Sequence, residues 1–217
     1  MQVKSFAFNP LQTNTYLLTD EKTKETIIID PACYSEEERG VLSDYIKENQ
    51  LKIVRVLNTH LHFDHIYGNR YVQETYGVGA EGGKEDVFLL NHFVDFLALF
   101  QMPMAEEALP LVNILKEGDV VTVGEMELHV LRVPGHSPGS LSFYDSKHQC
   151  AFIGDVILSH SIGRTDLYKG NLETLLDSIR NKILTLPDDT VLYSGHGAPS
   201  SLKEEKACNL YLHNINM

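Results

Sequence analysis

Cysteine is scarce in this 217-residue chain: Cys33, Cys150 and Cys208 are odd in number and far apart, which argues against a disulfide framework. Basic residues are also in deficit. Eighteen Lys and Arg against thirty Asp and Glu give a formal net charge of −12. A phosphate-tracking basic face is therefore not expected, so no nucleic-acid partner, and neither is attraction to an anionic membrane. No apolar run reaches the ~18 residues of a membrane helix. The amino-terminal MQVKSFAFNPLQTNTYLL lacks the long apolar core of a secretory signal, and a cytoplasmic location is expected. Linkers, tandem repeats and low-complexity segments are missing too, so residues 1–217 are expected to form a single domain. No Gly-x-Ser-x-Gly elbow announces a serine nucleophile.

What is present is ordinary globular composition, 43% hydrophobic and 22% charged. A chain of this size builds its core without disulfides or a structural metal, so any metal is expected to serve function. Val3 to Phe8 and Thr15 to Thr19 read as strands around an Asn9-Pro10 turn, and Thr26 to Ile29 as a buried strand stopped by Asp30-Pro31. Ser35 caps a helix with Glu36 to Glu38 in its first turn. Lys52 to Asn58 is a strand leading directly into THLHFDH, residues 59–65, a loop at a strand's carboxyl end where α/β sheets place their sites. Asn69 to Tyr76 suits a short helix and Glu85 to Phe100 one longer helix. Glu127 to Val133, Ser140 to Tyr144, Gln149 to Ile153 and Thr190 to Tyr193 read as strands. Leu172 to Leu186, capped by Asn171, and Leu202 to Leu212 read as helices.

His60 and His62 are two residues apart, which on an extended segment turns both imidazoles to one side. Asp64 and His65 follow at once. Three imidazoles and a carboxylate are borderline donors that suit Zn²⁺, with iron or manganese as alternatives. One metal cannot use all of them and keep an open position, whereas two neighbouring metals can. Further donors are then expected at other strand ends, and three are found: His136 in VPGHSPGS, Asp155 in FIGDV and His196 in YSGHGAP, each with a glycine close by. Asp155, with two oxygens, is the natural bridge. His92, His129, His148, His160 and His213 are isolated and read as ordinary polar residues.

Those motifs, in that order from about Asn14 to Tyr211, resemble the metallo-β-lactamase superfamily. The resemblance implies an α/β fold, an αβ/βα four-layer sandwich of two mixed sheets with helices outside. It implies one metal on His60, His62 and His136, a second on Asp64, His65 and His196, and Asp155 between them. It also implies a metal-bridging hydroxide as nucleophile, with Asp64 orienting the water or taking its proton. SIGRTDL (161–167) and GHGAPSSLKEEKACNLYL (195–212) are similar to a short glyoxalase II-like branch, related to the hydroxyacylglutathione hydrolases. The two-domain enzymes place a glutathione-holding Tyr two residues after the last His, where this chain has Ala198. Only 217 − 196 = 21 residues follow His196 here, room for one helix.

Thioester hydrolysis is therefore the expected activity, on a small-molecule substrate, since a thiolate leaves without a strong general acid. Persulfide dioxygenases also resemble this chain, carry the Gly-Arg-Thr-Asp run and use one iron on positions matching His60, His136 and Asp155. That alternative stays open, as do β-lactam and lactone hydrolysis, the acyl group, the thiol carrier and the oligomeric state. Arg164, Tyr168 and Lys169 are candidates for the substrate mouth, although Arg164 and Asp166 also read as a structural pair. Asp30 either caps a turn or braces the metal loop.

Overall fold

The computed structural model describes residues 1–213; residues 214–217 of the expected single domain lie outside the described residues. Among the described residues, fourteen strands and eight α-helices account for most of the regular structure. The first sheet runs in chain order through β1 (Gln2–Phe8), β2 (Thr13–Thr19), β3 (Glu25–Ile29), β4 (Lys52–Leu57), β5 (Ala80–Gly83) and β6 (Asn113–Leu115). Its first two pairings are antiparallel and the rest parallel. The second sheet contains β7 (Val120–Val123), β8 (Met126–Arg132), β9 (Leu141–Asp145) and β10 (Cys150–Gly154). After a small hairpin, β11 (Ile157–Leu158) with β12 (Ser161–Ile162), it is completed by β13 (Val191–Ser194) and β14 (Ser200–Ser201). Its order is β14-β13-β10-β9-β8-β7, and β10 with β13 is its parallel pair.

Period-two alternation along each strand divides the apolar residues between layers. Tyr16 and Leu18 of β2 face the second sheet, where they meet Leu128, Phe143 and Phe152 in the central core. Leu17, between them, faces the opposite way and packs with Leu42 and Ile46 of helix α1 (Glu36–Glu48). The second sheet does the same with Ala151 and Ile153 against Leu175, Ile179 and Ile183. The result is helix, sheet, sheet, helix, the αβ/βα sandwich.

Three expected helices are interrupted. The segment 85–100 divides into a 3₁₀ turn (Lys84–Asp86) and two short helices broken at His92. These follow α2 (Phe63–Ile66) and α3 (Asn69–Tyr76) and are α4 (Val87–Asn91) and α5 (Phe93–Leu99). The segment 172–186 begins as α6 (Leu172–Ser178), with the Asn171 side chain capping Thr174, and widens into a π-helical turn over Ile179–Ile183. At the end, α7 (Leu202–Cys208) and α8 (Leu210–His213) are split by Asn209, fully buried with an extended backbone. Its amide donates to Ser161 O at 2.9 Å and to Glu205 Oε2 at 2.8 Å. A buried amide with tertiary acceptors holds the backbone out of helix at that point.

Two contacts set the distance between the sheets. A Cβ on Gly83, at the end of β5, would run into the Gly139 carbonyl of the loop before β9, so only glycine lets the two backbones approach. Elsewhere Asp20, 5% exposed, accepts from Lys22 N, Thr23 N and, across the sandwich, Glu125 N, each at 2.9 Å. Cys33, Cys150 and Cys208 are all free thiols. No helix among the described residues is long and apolar enough to cross a membrane.

The amides donated by Glu125, Thr23 and Lys22 lower the Asp20 carboxyl to about 2. A carboxyl depressed on folding supplies stability that is fully present above its unfolded value, about 4, and is lost as pH falls toward 2. Thermal midpoints measured at pH 7 and at pH 2.5 should therefore lie closer together in Asp20→Asn than in the parent, with most of the change being the variant's lower midpoint at pH 7.

Candidate metal centre

Four strand ends converge on one edge of the sandwich. The chain leaving β4 delivers His60 to His65, the loop after β8 delivers His136, and Asp155 and His196 follow β10 and β13. The segment 59–65 is extended through His62 (φ −64°, ψ 149°) and then winds into α2, so Asp64 and His65 arise from a helical turn. Leu141 N donates to Thr59 O at 2.7 Å, lashing this segment to the second sheet. On the opposite flank Asn14 N donates to Gly195 O at 2.7 Å and Tyr16 Oη to Ser194 O at 2.6 Å.

The side chains gather into three groups, His60 with His62 and His136, Asp64 with His65 and His196, and His60 with His65 and Asp155. Within each group the donor atoms lie within 4.8 Å of one another. His136 Nε2 is 2.9 Å from His62 Nδ1 and 3.2 Å from His60 Nε2. Tetrahedral zinc with bonds of about 2.0–2.1 Å spaces its nitrogens by roughly 3.3 Å, so one ion fits that triad. In the second triad Asp64 Oδ2 is 3.4 Å from His65 Nε2 and 3.3 Å from His196 Nε2. Asp155 reaches both: Oδ1 is 3.6 Å from His65 Nε2, and Oδ2 is 3.5 Å from His136 Nε2 and from His196 Nε2. His65 Nε2 and Asp155 Oδ1 are buried and lack a hydrogen-bond partner. Buried polar atoms without partners are costly, and a cation between them answers the need of both. A Cβ on Gly195 would strike Asp155 Oδ1, which explains the glycine before His196.

Charge is distributed unevenly across the cluster. Burial, then the neighbouring imidazoles His65 and His136, hold His60 well below the ordinary range. Burial and His136 push His62 down to about 3. Both are therefore neutral, with lone pairs to donate. Burial opposes charge on Asp64, but His65 and His196 hold its carboxyl below the usual carboxylate range. Burial likewise opposes a proton on His65, yet Asp64, Asp155 and Asp30 outweigh it and raise it to about 10. The acidic half thus demands positive charge, which a proton or a metal ion can supply.

The far atoms of the cluster are anchored, as metal ligands require. The Asp30 carboxylate accepts from His65 Nδ1 at 2.9 Å, from Thr59 N at 2.7 Å and from the Thr59 hydroxyl at 2.6 Å. Asp30 itself adopts a left-handed backbone (φ 49°). His136 Nδ1 donates to the Arg164 carbonyl at 2.8 Å and His196 Nδ1 to the Leu11 carbonyl at 3.0 Å. The Thr13 hydroxyl donates to Asp64 Oδ2 at 2.9 Å, and Asn9 Nδ2 to Asp64 O at 3.0 Å.

A cavity of about 370 Å³ opens over the cluster and takes His62, Asp64, His136, Asp155 and His196 into its floor. Arg164 and Tyr168 are at its rim. The Arg164 guanidinium is forked onto Asp166 at 2.7 and 2.8 Å, while its carbonyl serves His136. Lys169 does not line the cavity; its Nζ lies 3.9 Å over the Phe88 ring, which Tyr168 also meets edge-on. Ala198 is exposed beside His196.

Leu11, Thr13 and Asp86 escaped the sequence reading. Asp86 is fully buried, and its carboxylate accepts from Ser137 Oγ and Gly139 N at 2.6 Å and from Leu61 N at 3.3 Å. It ties the 59–65 segment to the loop that carries His136. In sequence it follows Lys84 and Glu85 and looks like surface charge; only the fold buries it.

The sequence profile of the metallo-β-lactamase superfamily matches residues 8–196. Hydroxyacylglutathione hydrolase GloC of Haemophilus influenzae is 34% identical over 98% of both chains. The mitochondrial persulfide dioxygenase ETHE1 of Homo sapiens is 31% identical over 93% of this chain and 72% of its own length. Among solved structures, BLEG-1 B3 metallo-β-lactamase superposes with a TM-score of 0.88 at 35% identity, covering 97% of this chain and 99% of its own. TTHA1623 in a di-iron-bound form superposes with a TM-score of 0.84 at 29% identity, covering 98% and 100%.

Removal of the Asp86 carboxylate in Asp86→Ala strands buried donors from two loops at once. A loss of about 3 kcal/mol is expected, or roughly 6–12 °C in Tm. Asp86→Asn, which keeps an acceptor, should fall between variant and parent in differential scanning calorimetry.

Proposed function

The chain belongs to the metallo-β-lactamase superfamily, and from that premise we propose that it is a dinuclear metal-dependent hydrolase acting on thioesters. The observation that carries the reading is the pair of triads joined through Asp155 beneath an open cavity. His60, His62 and His136 would hold one divalent ion, Asp64, His65 and His196 the other, and Asp155 both. Five imidazoles and two carboxylates suit zinc. The similarity to GloC supports the thioester. Three unbridged cysteines suit a cytoplasmic setting.

The ions would supply acidification of water and polarisation of the acyl oxygen. The chain's own groups do the rest. Asp64, kept anionic by its imidazole neighbours and oriented by Thr13, can accept a proton from attacking water at the cavity floor. Asp30, Leu11 O and Arg164 O fix the tautomers of His65, His196 and His136, so each turns a lone pair inward. In the overall reaction the water oxygen bonds to the acyl carbon, the carbon–sulfur bond breaks with its electron pair on sulfur, and the thiolate takes a proton. Among the described residues, the lining of the cavity includes no Ser or Cys to act as nucleophile.

A persulfide dioxygenase reading draws on the similarity to ETHE1 and on the Gly163-Arg164-Thr165-Asp166 run. It requires one iron per chain and oxygen uptake with glutathione persulfide. Elemental analysis of purified protein should give close to two zinc ions per chain. Asp155→Ala should reduce both occupancies together. One iron, no gain on added zinc and oxygen consumption would replace the hydrolase reading.

Arg164 is also testable. Its guanidinium is half exposed and already satisfied by Asp166, so the interaction it can still offer a substrate anion is small. Arg164→Ala should leave Tm unchanged and alter KM for S-lactoylglutathione by less than about threefold. A tenfold rise in KM would return Arg164 to the substrate-binding role.

A further inference from the structure

The cavity over the metal cluster has a floor of donors and a wall of hydrocarbon. Phe63, Leu89, Phe96, Leu99, Phe100 and Leu167 make up that wall. Phe63 directly follows His62, and its ring lies 5.2 Å from that of Phe100, so the apolar surface begins at the reacting centre and runs outward. Leu99 is 71% exposed and Phe100 42%, large apolar side chains that the fold leaves uncovered at the mouth of this cavity. Exposed apolar surface contiguous with a reactive floor marks a binding surface.

Cations are nearly missing from the same cavity. Arg164 is its one lysine or arginine among the described residues, and Asp166 already holds it in a two-bond fork. Lys169 is turned onto Phe88. A tripeptide thiol with two carboxylates would find hydrocarbon where it needs charge, and Asp166 beside it. An apolar chain would find a complementary wall, and burying it would release water from both.

We infer that the preferred substrates are thioesters carrying an apolar chain of several carbons next to the scissile bond, held by the wall from Phe63 to Leu99, rather than thioesters recognised through the carboxylates of glutathione. This rests on the hydrolase reading for its chemistry, though not for the wall. The chain could sit on the acyl or on the thiol side, and the two are separable.

The test uses the zinc-loaded protein and two series: S-acyl-N-acetylcysteamines from acetyl to octanoyl, and S-acetyl alkanethiols of matched length, with S-lactoylglutathione as reference. Along the series whose chain meets the wall, kcat/KM should rise about two- to fourfold per methylene, the range that burial of one methylene provides. The other series should stay nearly flat, which identifies the side. Leu99→Glu, at an exposed position where folding is insensitive, should lower the long-chain to short-chain ratio about tenfold, with Phe100→Ser doing the same. Calorimetric titration with octanoate and acetate reads the wall without chemistry, and octanoate should bind at least about tenfold more tightly, an advantage that Leu99→Glu removes. If no thioester is turned over yet octanoate keeps that advantage, the hydrolase reading falls and the apolar site stands. Flat profiles in both series with equal binding of octanoate and acetate overturn the inference, as does tight saturation by S-lactoylglutathione above every apolar thioester.

Discussion

Asp30, Asp64 and Asp155 are carboxylates withdrawn from water around His65, itself fully buried. Such a group is tolerable only when each oxygen faces a positive or hydrogen-bonding partner. That electrostatic requirement organises the edge of the sandwich. It explains why Thr13, Thr59 and Asn9 turn polar atoms inward at positions that would otherwise be core. It explains the raised His65 beside two imidazoles, His60 and His62, that are pushed down. The cluster is thus divided between a neutral nitrogen-rich half and an anionic half, with Asp155 in reach of both.

The sandwich makes that concentration affordable. The donors come from four strand ends in two sheets, so their separation depends on how closely the sheets approach. Glycine at 83 and the Thr59–Leu141 bond bring the edges together, and Asp86 couples the two loops directly. The hydrocarbon core between the sheets, Tyr16, Leu18, Phe143 and Phe152 among it, holds the frame rigid while the loops carry chemistry. Arg164 illustrates the economy of the edge: its backbone carbonyl orients His136, while its side chain closes on Asp166 at the rim.

Much was legible in the chain itself. The crowding of His60, His62, Asp64 and His65 into one segment, with His136, Asp155 and His196 after later strands, pointed to two metals because ligand chemistry restricts which residue types can serve. Alternating runs marked β1, β2 and β8, and short β-branched or apolar runs ended by turn residues marked β3, β4, β9 and β10, each within a residue or two at its ends. Strands of two to four residues such as β5, β6 and β14 gave no such signal, being too short to show a period. Apolar spacing is continuous over 85–100, 172–186 and 202–212 and predicts one helix in each. The break at Asn209 comes from tertiary packing, through its buried amide on Ser161 O, while those at His92 and Ile179 leave no mark in the apolar spacing.

What the sequence carried by itself is therefore the candidate donors, as residue types crowded at strand ends, and the motif order whose resemblance to the superfamily implied the fold class. What only the tertiary structure decided is which atoms meet. Asp30 is a brace for His65 and Thr59 because β3 lies beside β4. Asp86, in a run of charges that reads as surface, is fully buried. Lys169 is turned away from the mouth, and Arg164 is paired before any substrate arrives. The hydrocarbon wall is assembled from α2, α4, α5 and the segment before α6. These are distances between residues remote in the chain, set by how the sheets and helices pack, and no local pattern of residue types encodes them.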